Sequence, residues 1–448
     1  MKRPQISGKI RYLLLSLLLP AMSFAEFPLL KSSSTAEIKS FLEAGYGTTN
    51  AKVVFVNTTT AKDGQLCYID FAEEVDTPVV RSIKAVTNAK VPVISPNGQW
   101  VIYATGDGGE AGSEVSLRSS VYICKIAEDA TPVLVYADSA AEPRFMQDIS
   151  ESKDTIIFST LSPNFGWEGF GRTMKIGITY ENGTPVVSKA EPIWIKGSFT
   201  GGLSWNKQYI CGGGGTIGML DLKNGTKVDT ITNFGQACNV SITSSRINFD
   251  RAMYLTMGDN NPSINSGQPW KQWQLIFISD IHKKVVRYYK YPTTFKHDPQ
   301  TTPVASMKNL GSLCWHHPEW SNHPYFATAT LNVNRYFNIG TEDDPEYANT
   351  DYQERLYLIN LKDSTYLEVL RPHPQILTYN PSQISTASGI FWPWLWVQIP
   401  SNFQEMPLAV KQPKKNSSNV SSNLIKINGT RISSLKPILK ISIYDLNG

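Results

Sequence analysis

With 448 residues, 41% of them apolar and 11% aromatic, the chain has material for one large all-β domain or two ordinary ones, and disorder of the whole is excluded. Its formal charge of +4 is unevenly spread: residues 1–25 carry four basic and no acidic groups, and residues 408–448 carry seven basic groups against Asp445, which leaves −6 for residues 26–407. A mildly acidic body lacks the basic footprint of a nucleic-acid binder.

The chain opens on a basic head (Lys2, Arg3, Lys9, Arg11), an apolar run over 12–19 and the small-residue ending Ser23-Phe24-Ala25, a pattern that reads as a secretory signal spanning 1–25 and cleaved before Glu26. The expected address is the periplasm, the cell surface or the extracellular space. No stretch reaches the roughly 18–20 apolar residues of a spanning helix, so no transmembrane segment is expected. A lead-in follows at 26–50. Within it, residues 35–44 place Ile38, Phe41 and Leu42 on one face of a short helix.

Beyond residue 50 helical periodicity gives way to a recurring unit of short apolar strand, turn and second apolar strand. Its clearest copy is 93–103, where Ser95-Pro-Asn-Gly98 supplies the residues of a tight hairpin, Pro presetting φ and Asn-Gly reaching positive φ. Further copies run over 148–158, 203–211 and 320–328, with serines at 150, 204 and 321, and one more is expected between 240 and 257, its hairpin starting near Thr243 or near Asn248. A second, alternating pattern follows each unit, at 65–70, 120–125, 174–178, 216–221, 274–279 and 355–360. Four strands per unit in about six units predict an all-β fold, a β-propeller of six four-stranded blades over 51–400. The aromatic run 390–396 then reads as a closing strand against 53–56. Residues 401–434 form a Lys/Ser/Asn-rich linker, and 435–448 alternate like a strand.

The hairpins, Trp320-Ser-Asn-His-Pro-Tyr-Phe above all, resemble the Trp-Ser-Pro-Asp-Gly hairpins of TolB-like (WD40-like) propellers, over residues 50–400. The ending Ile-Ser-Ile-Tyr-Asp-Leu-Asn-Gly448 is similar to the C-terminal sorting domains of bacterial type IX secretion and reads as a truncated one. These resemblances imply a bacterial cell-envelope protein, a fold shared by many functions, and no particular chemistry.

Candidate chemistry concentrates in 313–326, which holds three of the six histidines. The repeat places Trp315, His316 and His317 ahead of the inner strand, near the central channel on the long-loop face, and His323 in the hairpin turn on the opposite face. In an extended chain adjacent histidines diverge, so one of the pair is expected to point into any common cavity. Long loops rich in Gly, Asn and aromatics add Trp167, Trp270 and Trp273, whose flat faces suit sugars. A divalent metal at His317 or His316 would draw further ligands from other blades, with His297, Gln147, Gln236 and Asn239 as the candidates; oligogalacturonate lyases, which resemble this fold, use histidines with a glutamine around a metal. Glu110 with Glu168, and the acidic cluster within 342–351, are further candidates for acid–base chemistry or calcium.

Five cysteines (Cys67, Cys124, Cys211, Cys238, Cys314) allow at most two bridges and show no CxxC spacing, so they read as thiols buried in strands, with Cys238–Cys314 the first pair to test. The expectation is an exported, monomeric, non-catalytic binding protein whose long-loop face engages a glycan or an envelope protein. Two alternatives stand beside it: a polysaccharide lyase or hydrolase assisted by a divalent metal at the histidines, and a structural envelope scaffold.

Overall fold

The computed structural model describes residues 29–408 except 46–47, 59–63, 106–118, 138, 162–169, 195–199, 214–216, 225–226, 233–236, 257–274, 283–284, 293–312, 334–335, 339–346, 350–352, 373–376 and 379–388, together with the strands Lys426–Asn428 and Arg431–Ser433. Six antiparallel sheets form a six-bladed β-propeller. Blade one is built inside out from Ile390–Val397, Ala51–Asn57, Gln65–Asp70 and Arg81–Ser82, so the chain's late strand closes the ring on its early ones. The pairing sets Val53 opposite Leu395, as the aromatic run predicts. The inner strands of blades two to six are Ala89–Ile94, Ala140–Phe145, Thr200–Leu203, Ala237–Ile242 and Leu313–Trp320, and each touches its neighbours around the ring. All six alternating segments read from the sequence fall in third strands of blades.

Apolar side chains seal each interface between blades. One cluster joins blades one, two and three through Val54, Ile102 and Phe158, another joins blades five and six through Ile276 and Trp315. Burying each such side chain contributes about 1.5–3 kcal/mol. The lead-in fastens the seam: Leu29–Lys31 pairs with the outer strand Thr365–Pro372 of blade six. Helix Thr35–Ala44, capped by reciprocal bonds between Ser34 and Glu37, buries Ile38 and Leu42 between blades six and one. The segment read as linker contains a short hairpin, with Ile427 opposite Ile432.

The hairpins that join first and second strands turn at one face, and serines hold three of them. The Ser95, Ser204 and Ser321 amides donate to the carbonyls of Trp100, Tyr209 and Phe326. The Ser95 and Ser204 hydroxyls also accept from the amides of Trp100 and Tyr209, at 3.0 and 2.9 Å. Gly98, at φ 74°, lies so close to Trp396 of the closing strand that a Cβ there would come within 2.6 Å of the indole. Two details differ from the sequence reading. In blade three the equivalent residue is Met146, which donates to Thr155, while Ser150 sits inside the turn and caps Lys153. In blade five the hairpin starts at Thr243, whose amide donates to Arg251.

The inner strands share a device that the alternating patterns hide. In five of them two residues oppose one on the neighbouring strand, and the first of the two has positive φ: Val91, Glu142, Asn239, His317 and Trp392. The second is Pro92, Pro143, Val240, Pro318 or Pro393. These are β-bulges, which rotate the strand locally and break its two-residue period. Proline is tolerated there because the innermost strand of a blade is an edge strand and the bulge frees an amide.

Candidate functional site

The residue after each bulge pair, Val93, Arg144, Ser241, Glu319 or Trp394, lines one small cavity at the hairpin end of the channel. Its volume is about 20 Å³, space for about one water molecule. Across it the Arg144 Nη2 of blade three donates to Glu319 Oε1 of blade six at 2.7 Å, with Glu142 Oε2 at 3.8 Å, all three side chains being buried. Burial raises the Glu319 pKa despite the guanidinium beside it. Residues 401–408 cover part of the same face: Phe403 packs at a tilt against His323 at 4.7 Å, and Glu405 accepts from Ser245 and from the Arg246 amide. His323 is therefore buried under this segment, in the turn where the repeat places it.

The other end, which we call the mouth, is where the inner strands begin. Cys314, Asn332 and Glu354 lie directly opposite one another on the first, second and third strands of blade six. His316, two residues after Cys314, shares its side of the strand. The His316 Nδ1 lies 2.8 Å from Glu354 Oε1, its Nε2 lies 3.5 Å from Cys314 Sγ, and Asn332 Nδ2 donates to Glu354 Oε1 at 2.6 Å. The His316 side chain is 25% exposed while that of Glu354 is 1% exposed. Burial alone would push the His316 pKa down, but the Glu354 charge and the bonds to Cys314 and Glu354 outweigh it and hold it well above its usual value. Glu354 responds in the opposite direction: burial would raise it, yet the His316 charge and hydrogen bonds keep it below the usual carboxylate range.

His317 is the bulge residue itself, at φ 47°. Its ring packs edge-on against Phe391 and Trp392 at 5.5 and 5.2 Å and against His316 at 5.7 Å, with Nδ1 3.3 Å from Thr330 Oγ1. The adjacent histidines thus do not diverge as an unbroken strand requires, because the bulge cancels the alternation. Burial, then repulsion from His316, lowers the His317 pKa to about 3, so this ring is neutral. The buried Lys90 places its ammonium 5.2 Å from the Trp392 indole centroid.

The remaining sequence candidates separate. Trp315 to His317 belong to the inner strand Leu313–Trp320 and do not precede it. Trp315 is fully buried inside the blade, 5.7 Å from the rings of both Tyr357 and Tyr366. Gln147 lines the small cavity at the hairpin end, and Asn239 is the half-buried bulge residue of blade five. Trp167, Trp270, Trp273, Gln236, His297, Glu110, Glu168 and the acidic cluster lie outside the described residues. Among the described residues no three His, Cys, Asp or Glu side chains converge as a metal site. His316 turns one nitrogen to Glu354 and the other to Cys314, in opposite directions, so these three do not point at one centre. Cys67, Cys124, Cys211 and Cys314 are free thiols, and the pairing of Cys314 with Cys238 is not formed.

Sequence reasoning missed Cys314, Glu354, Arg144, Glu319 and Lys90. A signal was present: Pro92, Pro143 and Pro318 stand three residues before Ser95, Met146 and Ser321, the residues that begin the hairpins.

No family model matches the chain, and no curated protein does. Among solved structures, a periplasmic gluconolactonase of Pseudomonas aeruginosa is similar over 74% of this chain and 100% of its own, at 7% identity and a TM-score of 0.37. Hydrazine synthase of Kuenenia stuttgartiensis is similar over 76% of this chain and 48% of its own, at 11% identity and a TM-score of 0.41. Likenesses this distant say nothing of chemistry, and the fold assignment rests on the order of the sheets.

Proposed function

We propose that this chain is an exported binding propeller that takes a glycan at the mouth of its channel. The observation behind this reading is the difference between the channel's two ends: a buried ion pair spans a small cavity at the hairpin end, while His316 remains partly exposed over the buried Glu354 at the other. A polyol suits a mouth at which a partly exposed imidazole, backed by a buried carboxylate and amide, meets its hydroxyl groups. Loops bearing Trp167, Trp270 and Trp273 would add flat apolar faces for the sugar rings. Export follows from the leader pattern of residues 1–25. A glycan array probed with the mature protein tests the reading. Binding that falls at least tenfold in His316→Ala supports it, whereas a blank array with envelope proteins captured instead would favour a protein ligand on the same face.

One observation favours a second reading. A histidine held between a carboxylate and a thiol is an arrangement for proton transfer, so the mouth would act on its ligand as well as hold it. The metal-assisted form of that reading has no ligand set among the described residues.

A further inference from the structure

The four thiols that the structure describes fall into two kinds. Cys67, Cys124 and Cys211 are buried among apolar side chains of the blades, and burial pushes the Cys67 and Cys124 thiols up to about 11 and about 12. Thiols so placed are inert. Cys314 is 5% exposed and differs in its company: Sγ, the His316 ring and the Glu354 carboxylate form one line, 3.5 Å and then 2.8 Å apart. This is the order nucleophile, base, orienting acid. The line is braced at its far end, because Asn332 donates to the same Glu354 oxygen that meets the imidazole. Gly389, at the start of the closing strand, fits against Glu354 so closely that a Cβ there would lie 2.8 Å from the Glu354 Cβ. Glu354 is thus held at its carboxylate by Asn332 and crowded at its backbone and Cβ by the closing strand.

We propose that Cys314 is the nucleophile of a thiol esterase site, with His316 as its acid–base partner and Glu354 as positioning residue, acting on carboxylic esters such as an acyl group carried on a glycan hydroxyl. The proposal rests on the second reading of the mouth. The reacting form has the proton on His316, the state that the Glu354 carboxylate favours. Sγ attacks the ester carbonyl, the S–C bond forms as the C–O bond to the alcohol breaks, and the His316 Nε2 proton goes to the departing alcohol oxygen. Water then attacks the thioester, giving one proton to His316 as its oxygen bonds to the acyl carbon. The C–S bond breaks, the free acid leaves, and the thiolate and imidazolium are restored. Ester and water become acid and alcohol, with no other reactant. Glycan binding places such an ester at the mouth, and the 5% exposure of Cys314 favours a small acyl group over a peptide chain.

The test uses the full chain with p-nitrophenyl acetate. We expect release of nitrophenolate with one acetyl group on Cys314, located by peptide mapping after rapid quenching. Both are lost in Cys314→Ala, and the rate falls about 100-fold or more in His316→Gln, the usual span for losing an acid–base group. Glu354→Gln provides an independent variant: its acetylation rate falls at least tenfold while its circular dichroism matches wild type. No acetyl group on Cys314 in the folded protein, or rates unchanged in both His316→Gln and Glu354→Gln, overturns the proposal. If Cys314→Ala still binds the array glycan while wild type never acquires an acetyl group, the esterase proposal falls and the binding reading stands.

Discussion

At the hairpin end of the channel Arg144 crosses to Glu319 through a space about the size of one water, whereas at the mouth the Cys314, His316 and Glu354 side chains lie within a single blade. Both ends are built from the same inner strands, on either side of the same bulges. The hairpin end is a joint: its charges come from different blades and each is buried against the other, so its chemistry is spent on holding the ring. At the mouth one blade contributes the whole line, so it can be altered without parting the ring. A propeller therefore separates closure from chemistry along the axis of its channel.

The sharpest way to break this contrast is Arg144→Met, which leaves Glu319 buried without its cation. Removing one partner of a buried pair costs about 3–5 kcal/mol, and urea denaturation should show a loss of that size. Adding Glu319→Gln should restore most of it, because no unpaired charge then remains. At the mouth the corresponding change, Glu354→Gln, keeps a hydrogen-bonding oxygen for Asn332 and costs about 1–3 kcal/mol. Equal losses at the two ends would remove the distinction between joint and site.

The pH dependence sharpens it further. His316 has its folded-state pKa raised above 6.5, so its contribution is complete below pH 6.5 and is lost as pH rises through the folded value. His317 is pushed the opposite way, from 6.5 to about 3, so its contribution is complete above pH 6.5 and is lost as pH falls toward 3. The two adjacent residues thus contribute opposed limbs that meet near pH 6.5, each with a slope of at most about 1.4 kcal/mol per pH unit. Denaturation midpoints measured from pH 5 to 9 should flatten on the alkaline limb in His316→Gln and on the acid limb in His317→Gln. The hairpin end adds a monotonic term, since the raised Glu319 pKa makes its contribution fade as pH rises above 4.5. Alkaline and acid limbs left unchanged by His316→Gln and His317→Gln would contradict the opposed environments of the two histidines.

The two ends also differ in how openly the sequence displays them, and serine substitutions measure that difference. Residues 95, 204 and 321 were legible because three hairpins use a serine hydroxyl that bonds within its own turn, and a repeated use leaves a repeated residue. The third strands and the helix at Thr35–Ala44 were legible for the same reason, their apolar period being that of the element itself. Ser150 was misread because serine occurs in turns for more than one reason: here it caps Lys153 from within the turn, while Met146 begins the hairpin with its amide alone. The mouth was illegible because its geometry arises from a positive φ at His317 that reverses side-chain direction, and from a strand pairing that brings Glu354 beside a residue 38 positions away. Ser204→Ala should therefore cost about 1 kcal/mol, the net value of a hydrogen bond. Ser150→Ala, in a partly exposed turn where water can replace the hydroxyl, should stay within about 0.5 kcal/mol. Equal costs would mean that Ser150 closes its hairpin as Ser204 does, and the register of blade three would then follow the spacing of the serines, with Met146 no longer its first residue.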